Sequence, residues 1–148
     1  MVFENHAKPG VWDYPDFDFP TDIFLEFATK LKGTSVKILF DCANPIAFGD
    51  DPLMILEKVI DDVVCIHASD TGTRGELKPV IIGTGLLPYQ EIFSLLINHS
   101  YNGWINIEEA SGKGRDGVKK AVGFIRKVWN TKFRELINNA STSISRVQ

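Results

Sequence analysis

Four short apolar runs, each followed by a stretch with helical spacing, constrain this chain more than any other feature in it. The runs are Val2-Phe3, Val36-Lys37-Ile38-Leu39-Phe40, Val63-Val64-Cys65-Ile66 and Trp104-Ile105-Asn106-Ile107. Strand and helix signals in alternation are the mark of βα units, in which parallel strands share one sheet and helices cover it. The first run leads through a loop holding Trp12, Tyr14, Phe17 and Phe19 to a helix predicted from Asp22 to Lys32. Thr21 or Asp22 caps that helix, and Ile23, Phe24, Phe27 and Leu31 fall on one face. The second run passes a turn around Asn44-Pro45 to a helix predicted from Pro52 to Ile60, where Asp51-Pro52 sets a cap ahead of a proline at the first helical position. The third enters a long loop through Gly72, Gly75, Gly83 and Gly85, in which Val80-Ile81-Ile82 can form a short extended piece, before a helix from Pro88 to Asn98. The fourth turns through residues 111–117 into a helix from Val118 through Trp129 toward Ile137.

Four consecutive units leave two arrangements open, an open doubly wound sheet or part of an eight-stranded barrel. No Gly-x-Gly-x-x-Gly follows the first strand and no Gly-x-x-x-x-Gly-Lys occurs anywhere, which removes the usual support for a nucleotide-binding open sheet. A chain of 148 residues with 44% apolar content can build one domain with a real core; that domain is predicted over residues 1–138, with the polar 139–148 as a disordered tail. Nineteen acidic against sixteen basic residues give a net charge of -3, and with no basic stripe nucleic acid is not an expected partner. Cys42 and Cys65 sit in or beside apolar runs, not in a spaced framework, which points to a reducing, cytoplasmic setting. No apolar run approaches the roughly 18 residues of a membrane span, and Met1 to His6 lacks the basic and apolar regions of a signal peptide. Met1 is followed at once by what reads as the end of a buried strand, so further chain is expected ahead of it.

The chemistry sits where the runs stop. A metal-competent side chain closes each one: Glu4, Asp41, His67 and Glu108. In a parallel sheet curling toward a barrel, the C-terminal strand ends converge on one rim, so residues distant in sequence meet around a single ion. Three carboxylates and one imidazole suit Mn²⁺, Mg²⁺ or Co²⁺, with Zn²⁺ accommodated where fewer ligands bind. Any one of the four alone reads as a loop cap or a half-buried histidine. Their coincidence at equivalent strand ends is what points to a cation, because a buried carboxylate cluster without one is electrostatically costly.

The order and spacing of Phe3-Glu4-Asn5-His6, Phe40-Asp41-Cys42-Ala43-Asn44, Ile66-His67-Ala68-Ser69-Asp70, Ile82-Gly83-Thr84-Gly85 and Tyr101-Asn102-Gly103-Trp104-Ile105-Asn106-Ile107-Glu108 resemble the xylose isomerase-like TIM barrels, the sugar phosphate isomerases and epimerases that include ketose 3-epimerases. The resemblance runs to about Trp129. It implies an α/β fold, the C-terminal half of a (β/α)8 TIM barrel with four βα units as strands 5 to 8. It also implies that Glu4, Asp41, His67 and Glu108 hold the ion, and that Glu4 and Glu108 serve as acid/base groups on opposite faces of the substrate. Glu109 is the alternative for the last ligand, but alternation along a strand turns it away from the side that Glu108 faces. Asn44 stands where many members carry a substrate-assisting histidine, and an amide hydrogen-bonds without shuttling protons. Arg74 is the candidate for the family's loop arginine, and His6 for a substrate contact or a support of Glu4. Lys113 and Arg115 can receive a phosphate or sugar carboxylate at the rim or simply lie in a solvated loop, the reading we favour, while the aromatics at 12, 14, 17 and 19 can wall the sugar site or pack over the barrel mouth.

The expected activity is therefore metal-dependent isomerisation or epimerisation of a ketose or related sugar, free or phosphorylated, through an ene-diolate and with no organic cofactor. A whole barrel of this type needs roughly 250 residues, so the other four strands are expected from a partner polypeptide or from a second copy in a homo-oligomer. The competing reading is a truncated, non-catalytic half-barrel that keeps the fold and acts through association. A phosphodiester-cleaving relative, with more histidines and a zinc cluster, fits poorly with three histidines and a negative net charge.

Overall fold

Strands β1 (Val2–Glu4), β2 (Lys37–Asp41), β3 (Val63–Ala68) and β4 (Trp104–Ile107) lie side by side in chain order in one sheet. Every pairing is parallel. These elements belong to a computed structural model that describes residues 1–6 and 20–145. Parallel neighbours cannot be joined by a tight turn, and here each is reached by a crossover through helix. The helices are α1 (Thr21–Leu31), the short α2 (Ala43–Ala47), α3 (Pro52–Val59) running into a 3₁₀ turn at Ile60–Asp62, α4 (Tyr89–Asn98) and α5 (Gly114–Ser145). None of them is long and apolar enough to cross a membrane.

Local chemistry explains most of the boundaries. Asp51 caps α3 by accepting the Leu53 amide at 2.9 Å, with Pro52 in the first turn. Helix α1 begins differently from the expected Thr21 or Asp22 cap: Pro20 occupies the cap position without a side-chain bond, and Asp22 lies in the first turn, where its charge suits the helix N-terminus. The turn expected at Asn44-Pro45 is the helix α2, and α5 starts four residues earlier than Val118 and continues past Ile137. Val80-Ile81-Ile82 forms no strand; the loop instead makes a single bridge between Thr71 and Pro79, and the Val80 amide goes to the Asp70 carbonyl.

Alternation divides the sheet into two faces. Ile38, Phe40, Ile66 and Ala68 point toward the helices and are fully buried among Phe24, Leu56, Ile92, Phe93, Leu96 and Ala121. At roughly 1.5–3 kcal/mol for each large apolar side chain removed from water, this layer dominates the stability of the fold. The opposite face carries Leu39, Cys65, His67, Trp104 and Asn106, none of them fully buried. A register shift separates the two ends of the β2–β3 pair: Ile38 pairs with Val63 but Leu39 pairs with Cys65, so Val64 is an extra residue. The bulge lets Val63 and Ile66, three apart, both face the helices, and it brings His67 level with Asp41.

Candidate metal centre

The register assembles the rim. Glu4 is level with Leu39, two residues before Asp41; Asp41 is level with His67, and His67 with Asn106, two residues before Glu108. Steps of two keep a side chain on the same face. All four strand-end residues therefore project from the face turned away from the helices, climbing along the strands from β1 to β4. Glu4, Asp41, His67 and Glu108 each offer one ligand atom, and these atoms lie within 4.8 Å of one another.

Asp41 is the buried member, and its surroundings are built around one of its oxygens. Oδ1 accepts the amides of Ala43 at 2.8 Å and Asn44 at 2.9 Å, the first two residues of α2, and the Ser69 hydroxyl at 2.9 Å. The Asn5 side chain clamps the Asp41 backbone from the other side: its Oδ1 accepts the Asp41 N–H at 2.7 Å and its Nδ2 donates to the Asp41 carbonyl at 3.0 Å. Asn5 thus extends the β1–β2 ladder by one rung made of side chain. Burial above all, with the charges of Glu108 and Glu4, pushes the Asp41 carboxyl up to about 7 against the opposing pull of its hydrogen bonds.

Whether these residues suit a cation is decided by His67. Its Nδ1 is buried 2.8 Å from Oε2 of Glu108 and 3.6 Å from Oε1 of Glu4, yet it has no hydrogen-bond partner. A buried nitrogen left without a hydrogen bond beside three carboxylates matches what a divalent cation requires, and one imidazole with three oxygens suits the hard-to-borderline ions.

His6 and Asn44 line the same cavity as Glu4, Asp41 and Glu108, and Asn44 donates to the Asn5 carbonyl at 3.1 Å. Arg74 does not reach it: its guanidinium is bound to the carbonyls of Gly49 at 2.9 Å and Asp50 at 3.0 Å. Glu109 turns away to accept the Ser111 amide and hydroxyl. Lys113 and Arg115 are exposed at the start of α5. Trp12, Tyr14, Phe17 and Phe19 lie outside the described residues.

Leu77 and Pro79, on the loop between β3 and α4, form the apolar side of the cavity. Asp70 fastens this loop. Its buried carboxylate accepts the amides of Gly83 and Gly85, each at 2.9 Å, and of Leu87 at 3.3 Å. Both glycines are required by space: a Cβ on Gly85 would sit 2.2 Å from Oδ1 of Asp70, and Gly83, at φ +91°, would place one 2.6 Å from the Phe124 ring. Asn5, Ser69 and Asp70 are the residues that sequence reasoning passed over. Their only signal was membership in the motifs around Glu4 and His67.

The sequence profile described as xylose isomerase-like TIM barrel matches residues 1–128. The inosose dehydratase of Bacillus thuringiensis (strain Al Hakam) is 24% identical over 126 residues, which take in 73% of this chain and 39% of that protein. A xylose isomerase domain protein from Planctomyces limnophilus superposes with a TM-score of 0.66 at 25% identity, over 78% of this chain and 43% of its own. The IolI protein, solved with a zinc atom bound, superposes with a TM-score of 0.63 at 16% identity, over 75% and 44%. The chain spans about two fifths of the length of these proteins, and its parallel sheet with covering helices is a partial TIM barrel.

Proposed function

This chain belongs to the xylose isomerase-like TIM barrel family, and from that premise we propose that it carries the cation-binding rim of a metal-dependent sugar isomerase or epimerase. The observation that carries this reading is the quartet itself, four potential ligand atoms within 4.8 Å of one another, with the buried Nδ1 of His67 lying 2.8 Å from Glu108 and 3.6 Å from Glu4 and making no hydrogen bond. A divalent ion bound there would supply the charge that polarises a ketone carbonyl and acidifies the neighbouring C–H. Mn²⁺, Mg²⁺ and Co²⁺ suit the three carboxylates, and the zinc of the IolI structure supports Zn²⁺ as a fourth candidate.

Glu4 and Glu108 stand at the first and last strands of the sheet and so flank the ion site from opposite sides. One carboxylate removes the proton beside the ketone, leaving an ene-diolate. The other returns a proton, to the opposite face of the same carbon for epimerisation or, after a shift of the carbonyl, to its neighbour for isomerisation. His6 and Asn44, on the cavity wall, contact the hydroxyls of the substrate. The inosose dehydratase relatives favour a second reading of the same first step. In that version the proton beside the ketone is lost and a hydroxide leaves from the next carbon, producing water. Either version needs the remaining barrel strands, whether from the same polypeptide, a partner or a second copy, to close the pocket around the sugar.

The test is calorimetric titration of the protein with Mn²⁺ and Zn²⁺. One equivalent should bind, and His67→Ala and Glu108→Gln should each lose more than the roughly 10–100-fold that changes beyond the ligands cost. A folded protein that binds neither ion discards the enzyme reading and leaves the non-catalytic half-barrel. Turnover of ketoses by metal-loaded protein would separate those two readings in the other direction.

A further inference from the structure

Among the described residues, one oxygen of Asp41 takes every hydrogen bond that its carboxylate receives. Two backbone amides and the Ser69 hydroxyl all converge on Oδ1, at 2.8 to 2.9 Å. A carboxylate oxygen with three donors has no lone pair left for an ion, and Oδ2 is the atom that remains. Ser69 is the only side chain among those three donors, and its own orientation is determined. Its Oγ accepts the Ala43 amide at 3.0 Å, which commits its single hydrogen to Asp41. Its carbonyl in turn accepts the hydroxyl of the buried Tyr89 at 2.5 Å. The line from Tyr89 through Ser69 to Asp41 reaches the rim from the helix side, while Asn5 holds the Asp41 backbone from the β1 side.

The geometry points to Ser69 as a positioning residue that presents Asp41 to the cation through Oδ2 alone. This inference rests on the metal reading above, and it goes further by assigning a one-oxygen binding mode and the side chain that enforces it. Ser69 lines the cavity beside Asp41, and with its hydroxyl hydrogen taken by Oδ1 it acts on the ion through that carboxylate. It acts by preventing the Asp41 carboxylate from turning, so the ion meets a preset oxygen and a freely rotating group does not have to be ordered on binding.

The experiment is Mn²⁺ titration of the wild type, Ser69→Ala and Ser69→Thr, with the thermal midpoint of each metal-free protein measured alongside. Ser69→Ala should bind Mn²⁺ about 10–100-fold more weakly while remaining folded, and Ser69→Thr, which keeps the hydroxyl, should recover most of the affinity. A purely packing role would make the two variants equally weak, or would lower the midpoint without touching affinity, and either result overturns the proposal. Wild-type affinity in Ser69→Ala, where His67→Ala has lost it, overturns the positioning role and leaves the metal site standing. If the wild type binds no Mn²⁺, the underlying reading fails first. Should Ser69→Ala not fold, Ser69→Thr decides: near wild-type affinity supports the hydroxyl, and a folded but weak variant refutes it.

Discussion

The two faces of the sheet are made from alternate residues of the same four strands, and they are held to different standards of burial. On the helix side Ile38, Phe40, Ile66 and Ala68 are closed off by the core. On the other side the strand ends carry the quartet of three carboxylates and one imidazole, and the strand starts leave Val2, Val64 and Trp104 in solvent, Trp104 with 78% of its surface exposed. The first face is filled from both sides by residues of this chain, with helix side chains packed against strand side chains. The second face holds the chemistry at one end and an apolar surface at the other, the arrangement of a barrel interior open along one side. Folding information and functional information are thus separated by a single residue step along each strand.

Adjacent residues on β2 provide the sharpest way to break that comparison. Phe40 is wholly buried on the helix side, and Leu39, beside it, is only partly covered on the other. Phe40→Ala should cost about 3–5 kcal/mol, the usual range for emptying a core aromatic site. That is a large share of the 5–15 kcal/mol of a typical domain. Leu39→Ala should cost less than half as much, because little surrounding structure is left facing a cavity. Urea unfolding of both variants measures the difference, and equal losses would show that the second face is packed as tightly as the first.

Next in size comes the pH response of the rim. Burial, reinforced by Glu108 and Glu4, raises the Asp41 carboxyl to about 7, and burial raises Asp70 as well. In the unfolded chain these groups titrate near 4. Between those values the folded protein holds protons that the unfolded chain has released, so the metal-free stability is present at low pH and is lost as pH rises through about 7. The metal-free thermal midpoint is therefore expected to fall from pH 5 to pH 8, less so in Asp41→Asn. Saturating Mn²⁺ should reverse the trend, because the ion competes with the proton for the quartet. A metal-free midpoint that rises over this interval would contradict the buried, carboxylate-crowded setting of Asp41.

How much of this was legible follows the same division. The strands could be read because Ile38, Phe40, Ile66 and Ile105 recur at strand spacing, and the quartet because each ligand closes a run. Glu108 is preferred to Glu109 by alternation together with its spacing from Gly103. What escaped depends on contacts between distant positions: Asn5 with Asp41 across 36 residues, Ser69 with Asp41 across 28, and Asp70 with Gly83 across 13. A polar residue next to a ligand looks the same in sequence whether it faces solvent or holds a neighbouring strand. The extra residue at Val64 left no trace in a uniformly apolar run. Arg74, the candidate for the family's loop arginine although displaced by about one residue from that spacing, has its guanidinium held by two carbonyls of the turn between α2 and α3, again a contact between distant positions.

The smallest expected effect is the most informative about the open face. Trp104 is the largest apolar side chain exposed on it, and the β4 backbone around it is held by pairing to β3. If that face is bare in solution, Trp104→Ser removes little buried surface and should change stability by no more than about 0.5 kcal/mol, as surface substitutions do. If four more strands or a second molecule cover it, the indole is part of a core and its loss should cost several times that amount. A cost that appears only at high protein concentration would identify a second copy as the cover, since stability gained by association follows mass action. A small cost at every concentration would mean that the described face of this chain stands open, with its metal rim reachable from the side on which a closed barrel would have its remaining strands.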